Sequence, residues 1–248
     1  MIRLVRAEFA KLGTTRLVYG LAAAMAAFAA LTVAAGIAYA GREGNPRLSA
    51  DSLPMLVGAP VTLLSGAALL LGILGMTGEF RHQTITQTFL VTPARGRVVA
   101  AKLVAYPLAG IALALVTLVF TGAVATAWLT AKGITPSLLD ARLGHVLVGA
   151  VLAAGLCGLV GVGVAALVRN QVAALVGVAV WVLLIEGLLM SLLNAPSLGK
   201  WLPSAAAAAL TNPGGAGLSR LAGALLLAGY GLALALAGTH LVIRRDIT

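Results

Sequence analysis

Long apolar segments alternate with short polar ones along the whole chain. A helix needs about 20 consecutive apolar residues to cross the hydrocarbon core of a lipid bilayer. Segments of this length, or longer, recur six times. The pattern therefore predicts an all-α membrane protein with six transmembrane helices, at residues 17–40, 53–77, 98–128, 143–168, 171–193 and 218–243.

The amino-acid composition leads to the same fold class. Hydrophobic residues make up 60% of the 248 residues and charged residues only 10%, whereas an average soluble domain has about 25% charged residues. A soluble protein cannot hide so many apolar side chains, because its surface must be covered with polar groups. We therefore expect residues 1–248 to form a single transmembrane domain. Glycines crowd the fourth span, where they allow helices to approach closely, at positions 155, 158, 161 and 163.

The net charge of +10 indicates contact with the membrane rather than with nucleic acid. The basic residues flank the apolar segments, where they orient the chain and contact anionic lipid. Assigning the loops alternately to two sides places 11 of the 17 Lys and Arg residues on one side. That side holds residues 1–16, 78–97, 169–170 and 244–248, together with Lys102. The positive-inside rule puts it in the cytoplasm, with both chain termini.

Residues 1–16 are predicted to form an amphipathic helix along the cytoplasmic membrane interface. Arg3 and Lys11 point largely away from its apolar stripe. A second interpretation stays open, in which this helix merely extends the first span into water. The stripe consists of residues at spacings of 3, 4 and 3, namely Ile2, Val5, Phe9 and Leu12.

A polar stretch, TGEFRHQTITQTFLVTPARGRVVAAK at 77–102, interrupts the apolar pattern between the second and third spans. It lacks the Ser/Gly-rich composition of a flexible linker. The residue before a proline is disfavoured in helical conformation, so we predict a short cytoplasmic helix ending near Val91, a turn at Pro93 and a new helix from Arg95. Another protein could bind such a helix and thereby move the attached spans.

The same stretch resembles the signature of ABC type-2 transporter permeases. Members of that family have an acidic residue at the end of the second span, a Gly-Thr or similar pair, a Pro-x-Arg step and a lysine at the start of the third span. The matching positions here are Glu79, Gln83-Thr84, Pro93, Arg95 or Arg97, and Lys102, with Gln83 in place of the usual glycine.

The resemblance covers essentially the whole chain. RAEFAKLGTTR at 6–16 is similar to the N-terminal cytoplasmic helix of the family, and IRRDIT at 243–248 is similar to a common C-terminal ending. WLPSAAAAALTNP at 201–213 resembles the outer segment between the last two spans. Its apolar character, between prolines and glycines of the stretch 194–217, predicts a re-entrant segment buried against protein.

The resemblance implies the membrane subunit of an exporter in the bacterial inner or plasma membrane. Two permease copies, which are identical or different, form a dimer. Each copy binds a separate ATP-binding-cassette ATPase, and that ATPase holds the ATP and magnesium. The loop after the second span carries a coupling helix that docks on this ATPase. The residues implied at that joint are Glu79, Phe80, Arg81, His82, Gln83, Thr84, Ile85, Phe89, Pro93 and Arg95.

The chain itself offers no site for catalysis, cofactor or metal. A phosphate-binding loop reads G-x-x-x-x-G-K-[ST], but Gly199-Lys200, the one Gly-Lys pair, is followed by Trp201. None of the three histidines stands three or four residues from another histidine or from Cys157, so no helical metal pair is predicted. We therefore expect no enzyme activity in this chain.

Glu186 is a carboxylate within the fifth span, about 22 Å along the helix from Gln171 at 1.5 Å per residue. Intramembrane carboxylates face the protein interior or a cavity and often pair, and Arg220 and His145 are candidate partners. Two interpretations are open: Glu186 lines a substrate path or gate, or it ties down the outer segment.

A self-sufficient channel or ion-coupled transporter is the alternative function. Such proteins usually carry several ionisable residues within the membrane, or inverted repeats, whereas this sequence shows one such carboxylate and no clear repeat. The sequence leaves the substrate open, and it does not distinguish a homodimer from a heterodimer.

Overall fold

The computed structural model describes residues 1–42, 46–81, 95–193, 196–212 and 217–244. These residues form helices and connecting turns, with no strand among them. In chain order the helices are α1 Ile2–Thr14, α2 Arg16–Tyr39, α3 Leu53–Gly58, α4 Val61–Arg81, α5 Arg95–Ala131, α6 Ala141–Val168, α7 Gln171–Val180, α8 Glu186–Leu193, α9 Pro196–Gly199, α10 Pro203–Thr211 and α11 Arg220–Arg244.

The prediction of six membrane-spanning helices is confirmed. The described residues contain six helical segments long and apolar enough to cross a membrane. Their bounds are Arg16–Tyr39, Ala50–Arg81, Gly96–Ala131, Ala141–Val168, Gln171–Leu192 and Arg220–His240. The second span combines α3 and α4, and the fifth combines α7 and α8. The second span ends at Arg81 rather than at residue 77, which brings Glu79 into its helix, and the third extends from Gly96 to Ala131 and includes Lys102, as predicted.

Helix α6 lies at the centre of the bundle and packs against α4, α5 and α11. Its glycines allow backbone-to-backbone contact, as predicted from their crowding. A Cβ atom on Gly161 would lie 2.2 Å from the carbonyl oxygen of Leu69 in α4. A Cβ atom on Gly72 of α4 would lie 2.3 Å from the carbonyl oxygen of Gly158. The α4–α6 pair is therefore closer than any residue with a side chain would permit.

Helix α1 packs its Val5 and Leu12 against Leu71, Ala105 and Tyr106. The other two residues of the predicted stripe do not face the bundle: Ile2 is 85% exposed and Phe9 is 39% exposed. Glu8 takes the central position of the packed face instead, between Val5 and Leu12. The location of this helix at a membrane interface stays a prediction.

The segment between the fifth and sixth spans packs against protein. Ala206, Ala209 and Leu210 of α10 are fully buried, where α10 contacts α11 and α6. Such packing satisfies the condition under which a re-entrant segment is tolerated, and its depth in a membrane stays a prediction.

Candidate functional site

Four charged side chains from three helices meet in a cluster at the end of the bundle where α4 finishes and α5 begins. Lys102 of α5 is completely buried, Glu8 of α1 is 4% exposed and Glu79 of α4 is 7% exposed. The Lys102 ammonium donates to Glu8 Oε2 at 2.7 Å and to Glu79 Oε1 at 2.9 Å. Lys11 donates to Glu8 Oε1 at 3.0 Å and to Glu79 Oε1 at 2.6 Å.

Polar groups of α4 and α5 complete the surroundings of Lys102. Its third donor reaches the carbonyl oxygen of Gly75 at 3.2 Å. The Tyr106 hydroxyl, one helical turn along α5, donates to Glu8 Oε2 at 3.5 Å. The lysine ammonium, with three protons to donate, is thus fully bonded inside the protein.

The cluster (Glu8, Lys11, Glu79 and Lys102) balances two negative charges with two positive ones. A buried charge is tolerated only when it is paired and hydrogen-bonded, and removing one partner of a buried pair costs about 3–5 kcal/mol. The cluster therefore holds α1, α4 and α5 together at one point. Within it, Glu79 Oε2 is buried and has no hydrogen-bond partner among the described residues.

Lys11 is the solvent-exposed member of the cluster, with 49% of its side chain accessible. Partial burial opposes its charge, but the hydrogen bonds to Glu79 and Glu8 outweigh that effect and raise the pKa of Lys11 above its usual value of 10.5. A group whose pKa is raised by folding stabilises the fold fully below its unfolded pKa, and this contribution disappears as pH rises through the folded pKa. The contribution of Lys11 is therefore fully present at neutral pH and is lost only in strongly alkaline solution.

Gly75 makes room for the Tyr106 ring beside the cluster. A Cβ atom at Gly75 would lie 1.9 Å from the ring, whereas a Cβ atom at Gly78, in the same helix, would meet nothing within 4 Å. We expect Gly75→Ala to displace Tyr106 and to destabilise the protein by about 1–3 kcal/mol, the usual cost of overpacking.

The matched variant Gly78→Ala is expected to leave stability unchanged or to raise it, since alanine favours a helix over glycine by about 1 kcal/mol. Chemical unfolding of the purified protein in mixed micelles would measure the free energy of unfolding of both variants. Equal effects of the two substitutions would contradict the packing of Tyr106 against Gly75.

The structure places the predicted coupling residues in different surroundings. Glu79 belongs to the cluster. Phe80 packs against the core formed by Ile73, Met76 and Val99, and exposed Arg81 donates to the side-chain oxygen of Gln171 at 3.3 Å. Arg95 begins α5. The remaining predicted residues lie outside the described part of the chain, namely His82, Gln83, Thr84, Ile85, Phe89 and Pro93.

The role of Glu8 was not predicted from the sequence. The signal was its spacing, because Val5, Glu8 and Leu12 are three and four residues apart and so lie on one face of a helix. A carboxylate between two apolar residues on that face indicates a buried partner. The sequence placed Lys102 on the cytoplasmic side and in the family signature, and the structure identifies it as that partner.

Glu186 lies in a second polar site, where the fifth span contacts α10. A π-helical turn, Trp181–Ile185, precedes it, and the Glu186 backbone N–H donates to the carbonyl of Trp181. The Trp181 Nε1–H donates to Glu186 Oε1 at 2.8 Å. The Ser204 hydroxyl of α10 donates to Glu186 Oε2, and Glu186 is 5% exposed.

The predicted partners of Glu186 are wrong. Arg220 Nε donates to the carbonyl of Leu210 at 3.0 Å, and its Nη2 donates to the carbonyl of His145 at 3.1 Å. These bonds tie the start of α11 to α10 and α6. The carboxylate is satisfied by neutral donors instead, an indole N–H and a hydroxyl.

Among the described residues, no group of three or more His, Cys, Asp or Glu side chains is placed to hold a metal ion.

A comparison of the chain with models of known protein families found no match, and a comparison with curated proteins found none either.

Proposed function

We propose that this chain is the permease subunit of an ATP-binding-cassette exporter, driven by a separate ATPase subunit and paired with a second permease copy. Two features support the proposal. The signature from Glu79 to Lys102 resembles that of ABC type-2 permeases, and six apolar helices provide the spans of such a subunit.

One observation carries the proposal. Glu79 and Lys102 stand on either side of residues 82–94, the segment proposed to dock on the ATPase, and their side chains form a buried ion pair. Helices α4 and α5, which precede and follow that segment, are therefore joined to each other and, through Glu8, to α1. A force applied to the segment would therefore move the second and third spans together.

The length of α5 allows that motion to reach far. Its 37 residues extend for about 55 Å at 1.5 Å per residue, more than the thickness of a bilayer core of about 30 Å. Helix α4 is locked against α6 at Gly72 and Gly161. In this mechanism, ATP binding in the partner favours one of two arrangements of the spans, and the cluster couples the partner to that change.

ATP-dependent transport in vesicles tests the proposal. The chain would be reconstituted with and without an ATP-binding-cassette subunit that co-purifies with it, and a panel of lipophilic compounds, peptides and lipids would be followed. We expect transport only with both the subunit and ATP. Transport by the chain alone would contradict the proposal and favour the self-sufficient channel or ion-coupled transporter.

A further inference from the structure

A cavity of about 190 Å³ lies between α4, α6, α10, α11 and the π-helical turn of the fifth span. Its wall includes Leu69, Cys157, Val182 and Leu227. Among the described residues that line it, none carries a charge. An engineered apolar cavity of about 150 Å³ stays dry and accepts a molecule such as benzene. This cavity has room for a ring of that size or a short run of acyl chain.

Three of the four hydroxyl groups in the wall, all but that of Thr62, donate within the protein. Ser65 donates to the carbonyl of Val61 at 3.0 Å and Thr211 donates to that of Ala208 at 3.1 Å. Ser204 donates to Glu186. Since these three donors are used, the wall offers apolar contact more than hydrogen bonds, and an ion would find little there to replace its hydration.

The hydrogen bond between Glu186 and Ser204 joins two of the elements that line this cavity, the fifth span and α10. Val182 and Ser204 both line it, from the fifth span and from α10. Only 11% of the most apolar stretch of the fifth span is buried, so few other contacts hold that part of the helix. The π-helical turn also brings Trp181 and Glu186 together, five residues apart, as its i→i+5 bonding requires. Such turns occur frequently at functional sites.

We propose that the cavity binds the uncharged hydrocarbon part of a membrane-soluble molecule, and that the Glu186–Ser204 hydrogen bond controls access to it. This inference deepens the proposed function, on which it rests for the identification of that molecule as substrate. Binding in the cavity, however, is independent of ATP and of any partner, so it is tested separately.

Cys157 provides the probe, because it is the only cysteine of the chain and it lines the cavity. The rate at which N-ethylmaleimide labels it would be measured on the full chain, in phosphatidylcholine vesicles and in detergent. Loss of a hydrogen bond to a charged group changes an equilibrium by more than a factor of ten. We therefore expect Ser204→Ala to raise the labelling rate by about tenfold or more, and Glu186→Gln to raise it as well.

Ser191→Ala is the matched control, since this hydroxyl lies in the same span and donates to the carbonyl of Leu188 within its own helix. Its labelling rate should equal that of the wild type. Circular dichroism and gel filtration would confirm that each variant is folded. Unchanged labelling in both the Ser204 and the Glu186 variants would overturn the role of their hydrogen bond.

Protection by a small ligand tests the chemistry of the site. Benzyl alcohol should slow the labelling of Cys157 in a saturable way, whereas the benzylammonium ion should not. Val182→Phe, which fills the cavity without altering Glu186, should abolish the protection. Protection in detergent but not in vesicles would mean that a bilayer acyl chain already occupies the site in the vesicles. Protection in both media would mean that the site takes a molecule able to compete with lipid. Equal protection by the charged compound, or none in either medium, would overturn the proposal.

Discussion

Replacing Lys102 with methionine is expected to destabilise the protein by about 3–5 kcal/mol, the range measured when one partner of a buried ion pair is removed. Lys102 is completely buried and is held by Glu8 and Glu79. Without it, two buried carboxylates lie close together with only the half-exposed Lys11 between them. The loss would be measured by chemical unfolding in mixed micelles and by the amount of folded protein in the membrane.

Two companion variants make this prediction specific. Lys132→Met removes a lysine that is exposed in the turn after α5, and it should change the free energy of unfolding little. Combining Lys102→Met with Glu79→Gln restores the charge balance of the cluster, so the double variant should recover part of the lost stability. A small effect of Lys102→Met, or no recovery in the double variant, would show that the cluster does not hold the three helices together.

We propose different roles for the two polar sites. The cluster at Glu79 and Lys102 is a full ion-pair network that resists separation of its helices. Glu186, in contrast, accepts one bond from its own helix and one from Ser204 of α10. A contact of this kind can break and re-form without leaving a buried cation unpaired. We therefore assign force transmission to the cluster and access to the cavity to Glu186.

The six spans could be predicted because their signal is local. Each is a continuous run of apolar residues, so its length alone indicates a membrane helix. The glycines of α6 were also recognisable, since several of them within one apolar helix indicate close packing. These features need no knowledge of which residues are neighbours in space.

The two polar sites depend on neighbours that the sequence does not reveal. Glu8 and Lys102 are 94 residues apart, and a helix assumed to lie flat on a membrane gives no reason to place its carboxylate against another span. Trp181 can reach Glu186 because a π-helical turn separates them, and no residue pattern identified that turn. The assignment of Arg220 to Glu186 failed because its donors are taken up by backbone carbonyls.

Residues 82–94 are proposed to form the point at which an ATPase subunit acts on spans held together by the cluster. The most direct test replaces residues 82–91 with a Gly/Ser sequence of equal length and leaves Glu79 and Lys102 intact. The same kind of replacement at 43–47, between the first two spans, is the control. Co-purification of the ATP-binding-cassette subunit and ATP-dependent transport in vesicles would be measured for each, together with the free energy of unfolding.

We predict that the 82–91 variant unfolds like the wild type, no longer retains the ATPase and transports no more with ATP than without it, while the 43–47 variant keeps both activities. An 82–91 variant that still binds the ATPase and transports in response to ATP would contradict the account.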